Sequence, residues 1–395
     1  MKFFSFKTVV FFSFALLPSL AISQTNGIII PNTEIPTLNF TPDSRSGAMG
    51  EAGVATTPDV NANYWNPAKL AFIESNDAVS LSYSPWLRQL VPDYSLSYLS
   101  YAHRLDDRNT IGASLRYFSY GTIQLTDPNQ NNEGTYNPND FSLNLSFARK
   151  FGDELSLGLT AGYIHSSLTS ASFATGTSVQ AQAATAVAAG VSLFYNKKTQ
   201  EFGTDGILSF GTNISNIGTK VSYSSTGPKY FLPTNLKMGV ANTINLDDYN
   251  QITVTFDINK LLTPTPPIRD ENGNIISGKD DNVSVPSGIF GSFTDAPGGF
   301  SANLREITFS PGIEYWYNQL FALRAGYFYQ NSNDPDNAYS GPQHYLTLGA
   351  GFKYTEFTFD FSYIAASQQS SGIANTLRFT LIASFGGAKN TSGNP

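Results

Sequence analysis

Three histidines, His103, His165 and His344, are the first residues in this 395-residue chain that could do chemistry. A metal held by them would need cysteines or closely spaced carboxylates as further ligands. The chain has no cysteine, and no carboxylate near these histidines stands at a ligand spacing. Each falls in or beside a segment with strand alternation, so the plain reading is a wall or lumen histidine. A Ser–His–acid nucleophile would serve a hydrolase. Serine is so abundant that a chance pairing carries no information, and no residue is singled out as catalytic. Asp270-Glu271-Asn272-Gly273-Asn274 followed by Asp280-Asp281 has the composition of a calcium loop. An EF-hand loop needs Gly at its sixth position and Glu at its twelfth. Here Gly273 stands fourth and Asp281 twelfth. Asn272-Gly273 reads better as a hairpin turn inside a long loop. No metal and no cofactor is expected.

The remaining candidates are for binding. Two connections carry apolar residues where a loop in water has no need of them. The first, 85–93, holds Trp86, Leu87, Leu90 and Val91; the longest, 260–303, ends with Ile289, Phe290, Phe293 and Phe300 among Gly and Pro. Apolar groups framed by polar ones mark protein contact sites. Folding over one another, to close off what lies beneath, is the other reading. A third candidate is Asn66-Pro67-Ala68, inside the segment Thr25 to Asn76. This segment lacks period-2 alternation, has few charges and is rich in small residues that let backbones pack closely. It reads as a plug in which Asn66, Pro67 and Ala68 form a seating turn, with a gating role as the alternative.

The elements that must position these residues are strands. Phe357, Phe359, Phe361 and Tyr363 share one face, with Thr358, Asp360 and Ser362 on the other. Phe141 to Phe147, Ile252 to Ile258 and Leu377 to Phe385 repeat the pattern. Successive side chains on a strand point to opposite faces, so each run has one apolar and one mostly polar face. Such runs predict fourteen strands, near 78–84, 94–103, 109–121, 139–151, 154–168, 183–195, 207–215, 233–245, 249–259, 304–317, 320–331, 343–354, 356–366 and 374–386. The Ala-rich run at 183–195 is equally compatible with a helix. Short turns alternate with long connections, except for a medium turn at 196–206. That alternation is the mark of an outer-membrane barrel with short periplasmic turns and long outer loops. Tyr98, Tyr101, Tyr117, Tyr120, Tyr315, Trp316, Tyr317, Tyr327, Tyr329, Tyr354 and Tyr363 near strand ends read as an interfacial girdle.

Composition agrees. Only 13% of residues are charged, 14% are aromatic and glycine numbers 33, against roughly 25% charged in a soluble domain. The net charge of −7 with scattered Lys and Arg excludes nucleic acid as a partner. Lys2 and Lys7, an apolar run from Thr8 to Leu20 and Ala21-Ile22-Ser23 read as a secretory signal peptide cleaved near Ser23–Gln24. That run is too short to cross ~30 Å of hydrocarbon as a helix. No cysteine follows it, which excludes a lipoprotein. The expected organisation is a signal peptide over 1–23, an N-terminal segment and lumenal hatch over 24–76, a barrel over 77–387 and a short periplasmic tail over 388–395. The fold class is all-β, a monomeric fourteen-stranded antiparallel transmembrane barrel with an N-terminal plug.

Gly47-Ala48-Met49-Gly50-Glu51-Ala52-Gly53, the Asp59 to Tyr64 region and Asn66-Pro67-Ala68 resemble the hatch of the FadL-type fatty-acid transporters, fourteen-stranded barrels with an N-terminal plug. Ile35-Pro36-Thr37-Leu38, Pro42 to Gly50, Ala71-Phe72, Tyr83 to Leu87 and Phe118-Ser119-Tyr120-Gly121 resemble the PorV subfamily of the Bacteroidota type IX secretion system more closely. That resemblance covers essentially the whole mature chain. It implies an integral outer-membrane protein without covalent chemistry. It implies that the chain receives cargo from the large translocon barrel by its C-terminal signal domain. Delivery would then be to a surface attachment complex containing the sortase-like protease PorU. The implied partners are the translocon, the cargo, that complex and outer-membrane lipid. A FadL-like transporter of hydrophobic small molecules and an outer-membrane lipid hydrolase are the alternatives.

Overall fold

The computed structural model describes residues 31–86, 93–126, 129, 131–168, 181–201, 203–331, 343–366 and 375–386. The expected signal peptide, the tail, Leu87, Leu90 and Val91 lie outside them. Among the described residues, fourteen strands close an antiparallel barrel. They are β1 (Asp77–Pro85), β2 (Tyr94–Arg104), β3 (Asn109–Tyr120), β6 (Asn139–Lys150), β7 (Leu155–Ser166), β8 (Ala184–Glu201) and β9 (Thr204–Gly218). The circuit continues through β10 (Asn235–Asn245), β11 (Asn250–Leu261), β14 (Thr308–Tyr317), β15 (Phe321–Gln330), β16 (Gln343–Tyr354), β17 (Phe357–Ala366) and β18 (Leu377–Phe385). Two hairpins, β4 (Ile123–Thr126) with β5 (Asn132–Tyr136) and β12 (Ile268–Arg269) with β13 (Ile275–Ser277), project from the long connections. The barrel closes where Asp77 pairs with Phe385, so both of its ends lie on the short-turn side.

The alternation runs opposite to that of a water-soluble sheet. On β17, Phe357, Phe359 and Phe361 are exposed, whereas Asp360 and Ser362 are buried. On β11, Val254 and Phe256 face out, and Thr253, Thr255 and Asp257 face in. A closed ladder satisfies every wall amide, so the outer face can be apolar throughout and meet lipid.

Several details differ from the sequence reading. The Ala-rich run is strand β8, and β8 and β9 extend to a tight turn at Gly203 rather than ending at a medium one. Asn196 to Glu201 still pair with Ser209 to Thr204, but the apolar alternation stops there because this part of the ladder has left the hydrocarbon. Residues 304–307 are not strand: the helix α4 (Phe300–Arg305) takes the first two, and β14 begins at Thr308. Tyr98 is no girdle residue, being 2% exposed on the lumen face with Leu96, Ser100 and Ala102. Trp316 likewise turns toward Arg324, whose guanidinium lies 5.4 Å from its ring.

Candidate functional site

Residues 31–76 fill the barrel from end to end. At the long-loop end the Glu34 amide donates to Phe231 O, Thr37 donates to Asp140 at 2.5 Å, and Arg116 donates to Leu38 O. At the short-turn end the Asn76 amide donates to Phe385 O, and Phe72 packs edge-on against Phe194. Between them lie two single-turn helices, α1 (Ser44–Gly47) and α2 (Ala62–Trp65), and a 3-10 stretch (Pro67–Phe72). The Asp43 carboxylate caps α1 through Ser46 N and also accepts from Trp65 Nε1 at 2.6 Å.

One side of this plug is held by charge. Arg45 donates twice to Glu314, at 2.9 and 2.7 Å, and once to Asp59 at 2.8 Å. Arg324, the ladder partner of Glu314, donates to it at 2.6 Å and to Asp360 at 2.7 Å. All five residues lie inside the barrel, where an ion pair counts only if both partners are satisfied. The backbone approaches the wall on the same side. Gly50 N donates to Thr347 Oγ1 and Thr347 Oγ1 donates to Ala48 O, both at 2.8 Å. A Cβ on Gly326 would stand 2.0 Å from Gly50 N, and Gly50 itself has φ +69°.

The other side is held by hydrogen bonds rather than ion pairs. Asn66 is fully buried; its Nδ2 donates to Val54 O and to Leu193 O of β8, both at 3.0 Å. Ala68 N donates to Ser192 Oγ at 3.0 Å, and Ser156 Oγ donates to Ala68 O at 2.7 Å. Pro67 opens the 3-10 stretch, where its missing N–H costs nothing. Lys69 is buried and donates to Gly53 O and Thr56 Oγ1. Asp257 of β11 accepts from Gly53 N and Val54 N.

The loop candidates separate. Trp86 is 6% exposed and stacks on Phe40, with ring centroids 4.6 Å apart. Its amide donates to Tyr94 O, continuing the ladder, and it lies on the inward face with Ser80, Ser82 and Ser84. That parity was legible in the sequence and points Trp86 into the mouth. Phe290 on α3 (Val285–Gly291), Phe293 and Phe300 are 79%, 42% and 72% exposed. The loop beneath them is braced by Lys260, which pairs with Glu306, and by Thr265, which donates to Glu306 at 2.6 Å. Burial pushes the Glu306 carboxyl above its ordinary value, although Lys260 and Thr265 pull the other way. Asp270 accepts from the Asn272 and Asn274 amides, so the carboxylate that suggested calcium closes its own hairpin turn around Gly273, at φ +83°. His103 meets Asp77 at 2.8 Å on the wall. Among the described residues, no three His, Cys, Asp or Glu side chains gather as metal ligands.

A cavity of about 340 Å³ opens at the long-loop end, above the plug. Phe40, Trp86, Phe328, Tyr345 and Ile364 line one side; Asn235, Lys237, Asn259 and Lys260 line the other. Sequence reasoning missed this site. Its lining comes from the plug and from strands far apart in the chain, and only the closed barrel brings them together.

A family model described as type IX secretion system protein PorV matches residues 22–268. No curated protein matches the sequence. Similar solved structures include CymD, described as a monoaromatic hydrocarbon channel, with 13% identity, 87% of this chain and 98% of that chain covered, and a TM-score of 0.48. The Ralstonia pickettii toluene transporter TbuX has 13% identity, covering 88% and 98%, with a TM-score of 0.45. A Pseudomonas aeruginosa FadL homologue has 14% identity, covering 91% and 99%, with a TM-score of 0.41.

Proposed function

Since the chain belongs to the PorV family and is an outer-membrane β-barrel of the type IX secretion system, we propose that it is the shuttle that binds the C-terminal signal domain of cargo leaving the translocon. It carries that cargo to the surface attachment complex, where a PorU-like sortase removes the signal. The family match carries this reading. The plugged lumen supports it, because a barrel filled from mouth to floor by residues 31–76, ion-paired and hydrogen-bonded to the wall, is not built as an open pore. In this role the chain performs no covalent chemistry, and its working surface is the outer rim. Phe290, Phe293 and Phe300 supply apolar contact area there. Leu87 and Leu90 are further proposed contact residues, whereas Trp86 serves the mouth. Asn66, Pro67 and Ala68 seat the plug.

The test is a gentle detergent pull-down from the native outer membrane, followed by mass spectrometry. A very large barrel, a surface protease and proteins sharing a C-terminal domain are expected. Recovery of the barrel alone, with hydrophobic molecules bound, would favour a small-molecule transporter instead. The aromatic side of the mouth cavity is the observation behind that second reading.

A further inference from the structure

The segment 262–307 is a folded unit standing on the long-loop end of the barrel. Lys260 and Glu306 pair at its base, and Thr265 N donates to Asp295 Oδ2 at 3.2 Å. Just after β13, Lys279 donates to Thr294 Oγ1 at 2.8 Å, and a Cβ on Gly278 would lie 3.0 Å from Pro297. These contacts brace the β12–β13 hairpin against the stretch that joins α3 to α4. The apolar surface of the unit extends beyond its three phenylalanines. Ile268, Ile275 and Leu304 are exposed, and Ile276 is 67% exposed. The same unit is acidic: between 262 and 307 stand six carboxylates and three basic groups. Two of those basic groups are already engaged. Arg269 reaches Asp281 at 2.9 Å and Asp280 at 3.6 Å, and Lys279 reaches Thr294. Asp280 and Asp281 remain about half open to solvent, and Glu271 is exposed. Hydrogen bonds from Asn274 and Asn272 hold the Asp270 carboxyl below its ordinary value, so its charge persists.

We infer that this unit docks a protein face that is apolar at its centre and edged by lysine and arginine side chains. The inference rests on the shuttle reading and supplies the chemistry of its partner. Ile276, Phe290 and Phe300 meet apolar groups of the cargo's signal domain, and Glu271, Asp280 and Asp281 meet its cations. The two kinds of group do different work. Complementary charge acts at long range and raises the rate of encounter. Apolar contact acts only once the faces have met, and it sets how slowly they part. A lipid surface is the competing cover for these side chains. The carboxylates argue against it, because an anionic headgroup layer repels them.

The experiment measures association and dissociation rates on the full chain in lipid nanodiscs. The probe is the purified C-terminal signal domain of one type IX cargo from the same organism. Raising sodium chloride from about 50 to about 300 mM should slow association about tenfold and change dissociation little. Glu271→Gln with Asp280→Asn and Asp281→Asn should slow low-salt association about tenfold and flatten that salt dependence. Ile276→Ser with Phe290→Ala and Phe300→Ala should keep the salt dependence and speed dissociation about tenfold. All six substitutions change exposed side chains, and the heat-modifiable band checks that each variant is folded. Association that ignores salt or speeds up with it overturns the inference. So does an undiminished salt dependence in the carboxylate variant, or unchanged dissociation in the apolar one. Binding in detergent that vanishes in nanodiscs overturns it too, by assigning the apolar groups to lipid. In each of these cases the domain still binds, and the shuttle reading stands. A wild-type chain that binds the domain under no condition removes the shuttle reading and this inference with it.

Discussion

The plug and the long loop over 262–307 treat their side chains in opposite ways. Within the lumen, Arg45, Glu314, Arg324, Asp360 and Asp59 form one connected network with almost every donor placed on an oxygen. At the rim, Phe290 and Phe300 stand about three-quarters exposed on short helices. Water explains neither. A charge inside a membrane barrel is tolerated only when matched, and a phenylalanine in water contributes nothing until something covers it. The ionic clasp is thus matched within the chain, while the aromatic groups of the rim stand uncovered. The first region serves stability, and the second carries the recognition proposed above.

Substitutions can break or sharpen that contrast. The largest effect is expected from Gly326→Val. Its side chain would enter the space of the Gly50 backbone, which has no flexible end to move away. The plug should fail to seat, seen as loss of the heat-modifiable folded band or as raised ion conductance in planar bilayers; normal migration with unchanged conductance would refute the tight fit. Arg45→Ala leaves Glu314 and Asp59 short of a partner and should cost about 3–5 kcal/mol, read as a lower midpoint of unfolding in detergent. An unchanged midpoint would mean that water replaces the guanidinium. Asn66→Ala should cost about 1–3 kcal/mol by stranding Val54 O and Leu193 O. The triple change Phe290→Ala, Phe293→Ala, Phe300→Ala should move the midpoint by no more than about 0.5 kcal/mol while reducing recovery of partners. If it instead destabilised the barrel with partner recovery intact, the rim would be structural and the contrast would dissolve.

The strands were legible because the lipid face imposes a strict repeat. Every run such as Phe357-Phe359-Phe361 carries it, and all fourteen emerge within a few residues. What was illegible follows from leaving that environment. The Asn196–Glu201 ladder lies beyond the hydrocarbon and shows no alternation, so its strand character was hidden. The charge network is spread over positions 45, 59, 314, 324 and 360, and only barrel closure makes these neighbours. Trp86 shows the reverse case. Counting parity from Ser80, Ser82 and Ser84 turns it inward, but the strand expected from the sequence ends at residue 84, which places Trp86 in a loop.

The path of the N-terminal segment ties the early part of the chain to its last strands. It enters at the mouth, descends the full height of the lumen and continues without a break into β1. The β1–β18 seam closes the wall beside it. The wall encloses the segment as a sleeve encloses a mandrel. The ionic clasps, which reach to strands β14, β15 and β17, can fasten only after the last third of the chain has arrived.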